Sequence, residues 1–353
     1  MRVAYLISSL KKCGPNVVVY NLIEEMKNHH HVEIFYLDDN HHDDFFSTQN
    51  INKTKVNGVV DANFKLSNFD VVHSGGIRPD ILALLIKVKN RNVKIISTIH
   101  NYVFQDLYYS YGIFKSIFFG LIWCFIWCFF DKVVVLSKEA KRYYWFIPKR
   151  KKHVIHNGIV CSPFTPSYVL NYRQEYNIPN SSILIGTCAN ITKRKGIDLV
   201  IKMLAYTDDI FFLIAGDGVE KESLLALVKS MRLDNKVLFL SHIDDPKEFM
   251  AQLDVYVMPS RSEGFGLTVI EATNVNTPVI TSNIPIFKEL FSYMTVFFDI
   301  NDLFSLKENI FYVAKNKEEL SKKFRAIMLS KYTSKIMSTK YEELYTNSIR
   351  EQK

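Results

Sequence analysis

Short apolar runs recur along the chain at 3–7, 32–37, 70–72, 93–99 and 133–136, separated by segments long enough for helices. Both faces of each run are apolar, where a half-solvated strand would alternate, so the pattern predicts buried parallel strands joined by crossover helices. The rhythm lapses over 161–182, a stretch rich in Pro, Ser, Asn and Tyr, which marks a domain boundary. It resumes at 183–187, 210–214, 237–240, 255–258, 279–281 and 295–298, and a final helix is predicted over 332–350. The expectation is an α/β protein of two doubly wound, Rossmann-like domains facing across a cleft: residues 1–163, residues 164–331, and a terminal segment 332–353 that packs back on the first domain. No short-period repeat interrupts this organisation.

Composition narrows the class. With 353 residues, 48% hydrophobic and 23% charged, the chain has the balance of a globular protein, which excludes a disordered or collagen-like one. The net charge of +8 is too modest for a dedicated nucleic-acid binder unless it is concentrated. Five cysteines, at 13, 124, 128, 161 and 188, form neither a CxxC pair nor an even framework, so a reduced cytosolic compartment is expected. The first residues, MRVAYLISSLKK, predict a buried strand and not a secretion leader.

One segment changes the picture. Residues 116–130, SIFFGLIWCFIWCFF, are fifteen without a charge, short of the roughly 18 to 20 that span a bilayer. Two readings stay open: a buried helix feeding the next strand, or a helix inserted into one leaflet through Trp123, Trp127 and the phenylalanines. The following 138–152 holds seven Lys or Arg against one Glu, most of the net charge, together with Tyr143, Tyr144, Trp145 and Phe146. That mixture favours an anionic membrane or acceptor surface made by Trp123, Trp127, Lys141, Arg142, Trp145, Lys149 and Arg150. Single-stranded nucleic acid uses similar mixtures, but no matching fold signature accompanies this one, so no nucleic-acid partner is expected.

The chemistry concentrates at PSRSEGFGLTVIEA, 259–272, directly after the strand DVYVM. Gly264 and Gly266 allow a close-turning loop, and a helix beginning at Leu267 offers N–H groups to a phosphate. Glu263 and Glu271, eight positions apart, put two carboxylates at the carboxyl end of a strand, where such folds bind ligands. One suits a reacting centre and the other a ribose diol.

These residues resemble the signature of the retaining, sugar-nucleotide-dependent glycosyltransferases of family four, P-S-x-x-E-G-F-G-x-x-x-x-E-A, which this chain matches without a gap. The resemblance implies the GT-B fold and a nucleoside-diphosphate sugar as donor. GTCANITKRKG, 186–196, is similar to the element in which a Lys before Gly grips the diphosphate, and Lys195 holds that place. Where the family often has an Arg, this chain has Asn190, so Arg194 or Lys193 is expected to share the charge neutralisation. AGDG, 215–218, resembles the turn near the nucleotide base, and neither it nor GFG completes GxGxxG, which argues against a nicotinamide enzyme. HNGI, 156–159, resembles the passage into the linker, with Asn157 and Gly158 structural.

In the first domain, SSLKKCGPN resembles the family's glycine-rich loop. Cys13 replaces a glycine as a tolerated small residue, and Gly14 presents its N–H to the donor. His100, closing KIISTIH, is implied to contact a hydroxyl of the transferred sugar, and Asp106 to lie near the acceptor. His29–His31 and His41, His42, Asp43 and Asp44 are expected in surface turns. No Asp-x-Asp motif occurs, so neither a metal nor a cofactor is expected.

The reading is thus a glycosyltransferase with Glu263 and His100 catalytic, and Gly14, Asn190, Arg194, Lys195, Gly266, Leu267 and Glu271 binding the donor. A lipid-linked saccharide acceptor, in O-antigen or capsule assembly at the inner face of the plasma membrane, fits its apolar and basic features. Two rivals are a sugar-nucleotide epimerase or hydrolase of the same fold and a noncatalytic membrane-associated partner subunit.

Overall fold

The computed structural model describes residues 1–39, 44–161, 164, 170–240, 243 and 245–351. His41, His42 and Asp43, and the expected domain boundary at 163, lie outside them. The chain divides into two compact units, Met1–Val160 with Tyr332–Lys353, and Cys161–Lys331.

The first unit holds a parallel sheet of seven strands: β1 (Arg2–Ser9), β2 (His31–Asp38), β3 (Asn52–Lys55), β4 (Val71–Ser74), β5 (Lys94–Ile99), β6 (Lys132–Val135) and β7 (Lys152–Val154), ordered β3-β2-β1-β4-β5-β6-β7. The chain enters at the centre and winds outward twice, so its direction reverses between β1 and β4. Loops leaving these two strands therefore diverge and open a crevice at their carboxyl ends. The apolar runs form the inner strands: Val3, Ala4, Leu6, Val71, Val72, Ile95 and Ile96 are buried. Strands β3 and β7 were not expected, because NKTK and KHV lack an apolar run. Both are edge strands, where polar residues are tolerated.

The second unit repeats the plan with β8 (Ile183–Cys188), β9 (Ile210–Ala215), β10 (Val237–Leu240), β11 (Val255–Met258), β12 (Val279–Ser282) and β13 (Val296–Phe298), ordered β10-β9-β8-β11-β12-β13 and wholly parallel. Its reversal falls between β8 and β11.

The C-terminal helix Ser334–Arg350 belongs to the first unit. The chain re-enters where Ile159 and Thr333 bridge, and a Cβ on Gly158 would sit 2.2 Å from the Thr333 carbonyl oxygen. Asn157 is buried there. The helix then feeds two tyrosines into the sheet. The Tyr345 hydroxyl lies 2.6 Å from His73 Nδ1, the Thr98 hydroxyl 2.8 Å from His73 Nε2, and the Tyr341 hydroxyl 2.8 Å from Thr98 Oγ1. All four are buried, so each polar atom depends on its partner in place of water.

A second buried cluster corrects an expectation. Trp123 and Trp127, expected at a membrane or acceptor surface, instead donate their indole N–H to Asp80 Oδ2 at 2.7 and 2.8 Å. Trp127 is fully buried and Trp123 partly so. Asp80, itself buried, also accepts from Ser74 and Ser97. Burial pushes its carboxyl up while these four donors pull it down, and burial prevails. Two indoles that have to satisfy one buried carboxylate are committed to the interior.

Candidate functional site

In the second unit the loops after β8 and β11 meet. The first runs through Lys193–Lys195 to Gly196, which stands at φ +67°, and a Cβ there would lie 2.0 Å from the Pro259 carbonyl oxygen. Only glycine allows that approach. Arg261 ties the two loops from the other side: its N–H donates to the Arg194 carbonyl at 2.8 Å, and its guanidinium forks onto Asp198 at 2.7 and 2.8 Å. Arg261 was not singled out from sequence, since its partner lies sixty-three positions away.

This framework puts Glu263 between cations. Its Oε1 accepts from Lys195 Nζ at 2.5 Å and from Ser260 Oγ at 2.9 Å, and its Oε2 from Arg194 Nη1 at 3.2 Å. Arg194 also donates to the Ser262 carbonyl at 2.8 Å. Glu263 is buried. Burial alone raises a carboxyl's pKa, but Lys195, then Arg194, then the hydrogen bonds outweigh it and hold Glu263 below the usual range. Such a carboxylate is a weak base and a poor nucleophile, suited to fixing geometry and charge.

The helix Leu267–Asn274 starts at Gly266, φ +100°, where a Cβ would meet the Phe287 ring at 2.9 Å. Among the described residues no side chain caps this terminus, which leaves the positive end of the helix to the loop. Glu271 lies half-buried on the same helix. Asn190 is exposed just after β8, and Lys193 is exposed beside it. Of the two residues expected to replace the missing Arg, Arg194 reaches Glu263 and Lys193 does not appear among its partners. Ser260 is a further residue missed in the sequence, although it lies within the quoted motif.

In the first unit, Gly14 opens the helix Gly14–Met26 after β1 and is exposed. His100 follows β5 and lines a small pocket with Pro15, Asn16, His73 and Gly75. A Cβ on Gly75 would lie 3.3 Å from its Nε2, so the glycine leaves room for the ring. Burial pushes His100 down to about 4 and His73 to about 3, so both imidazoles are neutral near pH 7. Asp106 is half-buried on the helix Val103–Tyr111.

Of the basic surface residues, Arg142, Trp145, Lys149 and Arg150 are exposed and Lys141 is half-buried. Lys152, in the same run, turns inward and donates to the Lys141 and Tyr144 carbonyls. Among the described residues no group of three or more His, Cys, Asp and Glu is placed to hold a metal ion.

Two parallel doubly wound units, with a carboxylate, a lysine and an arginine gathered at the strand-order reversal of the second, define a glycosyltransferase of the GT-B class. The chain belongs to the group 1 glycosyltransferases: residues 170–337 match "Glycosyl transferases group 1", and residues 13–162 match "Glycosyltransferase Family 4". It is 53% identical over 352 residues to the O-antigen biosynthesis glycosyltransferase WclY of Escherichia coli, covering 99% of each chain. It is 24% identical to the N-acetyl-alpha-D-glucosaminyl L-malate synthase of Bacillus anthracis, over 81% of this chain and 77% of that one. In fold it is similar to HepE of Anabaena, solved in complex with UDP-glucose, with a TM-score of 0.85, 15% identity, and 98% and 100% of the two chains covered.

Proposed function

We propose that this glycosyltransferase moves a sugar from a nucleoside-diphosphate sugar to a lipid-linked saccharide in O-antigen assembly, with retention of anomeric configuration and without a metal or cofactor. The observation that carries the reading is the buried Glu263 held between Lys195 and Arg194. Arg194 and Lys195 pair with Glu263 and Arg261 with Asp198, and the exposed Lys193 adds a fourth cation to the same segment against these two carboxylates. The surplus positive charge suits a diphosphate. The similarity to WclY supports the O-antigen setting, and the UDP-glucose held by HepE supports the donor class.

In the proposed reaction the bond from the anomeric carbon to the diphosphate breaks, and charge gathers on the leaving oxygens. Lys195, with the N–H groups at Gly266 and Leu267, meets this developing charge more strongly than the ground state. Glu263 orients the sugar near its reacting face and Glu271 holds the ribose hydroxyls. Asn190 borders the donor as a neutral contact. His100, neutral at working pH, bonds a sugar hydroxyl. The acceptor oxygen attacks from the face the diphosphate leaves, and its proton passes to a departing phosphate oxygen.

Purified protein, labelled sugar nucleotides and extracted lipid-linked acceptors test this with EDTA present. Label in the lipid phase, lost in Glu263→Gln, supports transfer without metal. Free sugar or an epimer formed in place of lipid product would favour the hydrolase or epimerase rival.

A further inference from the structure

The helix Ile113–Trp127 is apolar apart from Lys115 and Ser116 near its start, yet only one side is covered. Ser116, Gly120, Cys124, Ile126 and Trp127 are its buried positions, and a Cβ on Gly120 would lie 2.5 Å from the Phe104 ring. Along the other side Phe114, Ile117, Phe118, Leu121, Phe125 and Phe129 stand exposed, Phe114 at 88%, Phe118 at 62% and Phe125 at 65%. The spacing runs in steps of three and four, so five of the six fall on one helical stripe and Phe129 extends it past the end. A lone soluble molecule rarely leaves so continuous an apolar surface in water. Lys115 is the one charged residue between 107 and 130.

The basic segment adjoins this helix in space as well as in sequence. The Tyr144 ring packs on Trp127 at 5.5 Å between centroids, and Lys151 Nζ donates to the Cys128 carbonyl at 2.7 Å. Those contacts anchor the loop beside the helix while Lys149, Arg150 and the 80% exposed Trp145 stay in solvent, together with Arg142, which is exposed and pairs with Glu139.

We propose that this face docks on an anionic phospholipid bilayer, with Ile113–Trp127 lying in the plane of the interface, its phenylalanines among the acyl chains, and Arg142, Lys149 and Arg150 on headgroup phosphates. Fifteen residues of helix extend about 22 Å, short of a hydrocarbon core of about 30 Å. Among the described residues no helix is long and apolar enough to cross a membrane. An in-plane helix needs only one apolar face, and here the opposite face is fixed to the protein through Asp80. A second copy is the poorer occupant, since a twofold contact would bring the same cations together. The docking role rests on the lipid-borne acceptor proposed above, but vesicle binding is measured without donor or turnover.

The test is co-sedimentation of the full chain with vesicles of phosphatidylethanolamine and phosphatidylglycerol, against phosphatidylcholine alone. Wild type is expected to bind the anionic vesicles preferentially, and Phe114→Ser/Phe118→Ser/Phe125→Ser to bind about tenfold or more weakly at an unchanged melting temperature. Arg142→Glu/Arg150→Glu, wholly on the surface, is expected to remove the preference for anionic lipid and its salt dependence. Wild type that ignores the vesicles, or aromatic and charge variants that both bind like wild type, overturns the proposal. A dimer in gel filtration that the aromatic variant dissociates, with no vesicle binding, assigns the face to a second copy and overturns it too. Transfer to a short-chain soluble acceptor without vesicle binding would sink the docking face and leave the transferase standing; vesicle binding without any transfer would do the reverse.

Discussion

At the scale of single residues, the energetics of Glu263 follow from its neighbours. Removing its charge leaves the half-buried Lys195 and Arg194 beside a neutral amide, so Glu263→Gln is expected to lower kcat by about 100-fold, the usual effect of losing one placed electrostatic group. The unpaired cations also cost stability, so the melting temperature should fall as well. Lys195→Gln should raise KM for the donor more than Glu263→Gln does, because the lysine is the group assigned to the diphosphate. Initial rates over a donor series, beside a thermal melt of each variant, check both. The two histidines give a pH prediction. His73 and His100 fold with values near 3 and 4, below the ordinary 6.5, so between these limits the unfolded chain binds more protons than the folded one. Stability is therefore complete above about pH 6.5 and declines as the pH falls toward 4. The lowered carboxyl of Glu263 acts in the same direction at the acid end. Denaturant melts from pH 7.5 to 4.5 should show a falling midpoint, and His100→Asn should flatten the slope.

At the scale of elements, the same buried-polar logic makes Asp80 a test of how the aromatic helix is held. Asp80→Ala strands two indole N–H groups and two hydroxyls; at about 1 to 3 kcal/mol for each unsatisfied buried group, it should destabilise the first unit severely. Asp80→Asn, which keeps an acceptor, should cost less, and urea melts of the pair separate them. This cluster also marks where sequence pattern stops being informative. The apolar runs located the inner strands because parallel strands are covered on both faces, and PSRSEGFG located the loop that holds Glu263 because its glycines and that carboxylate are local to one turn. Trp123 and Trp127 misled, because an aromatic residue in an apolar helix has the same pattern whether it meets lipid or a distant carboxylate. Only the fold brings Asp80 to them. Strands β3 and β7 were missed for a related reason: an edge strand needs no apolar run, so NKTK and KHV carry no signal of their own. Arg261 and Asp198 escaped because a clamp between two loops has no fixed spacing.

At the scale of the whole molecule, the chain leaves its first unit at Val160 and returns to it at Tyr332, so that unit is complete only when the last helix is in place. Its tyrosines are the means of return. Tyr345 meets His73 on β4, Tyr341 meets Thr98 on β5, and the Tyr5 hydroxyl on β1 lies 3.4 Å from that of Tyr345. Three central strands are thus tied to a segment more than two hundred residues later in sequence. Tyr345→Phe removes one hydroxyl and leaves His73 Nδ1 buried without its partner, at a cost of about 1 to 3 kcal/mol. Tyr345→Ala adds a cavity, and a large-to-small change of this kind costs about 3 to 5 kcal/mol. The loss should be local, since the sheet of the second unit makes none of these bonds. Hydrogen exchange read strand by strand is the discriminating measurement: β1, β4 and β5 should lose protection in Tyr345→Ala while β8 and β11 keep theirs. Equal loss in both sheets would mean that the two units unfold as one, and the C-terminal helix would then stabilise the molecule as a whole, including the loops that hold Glu263.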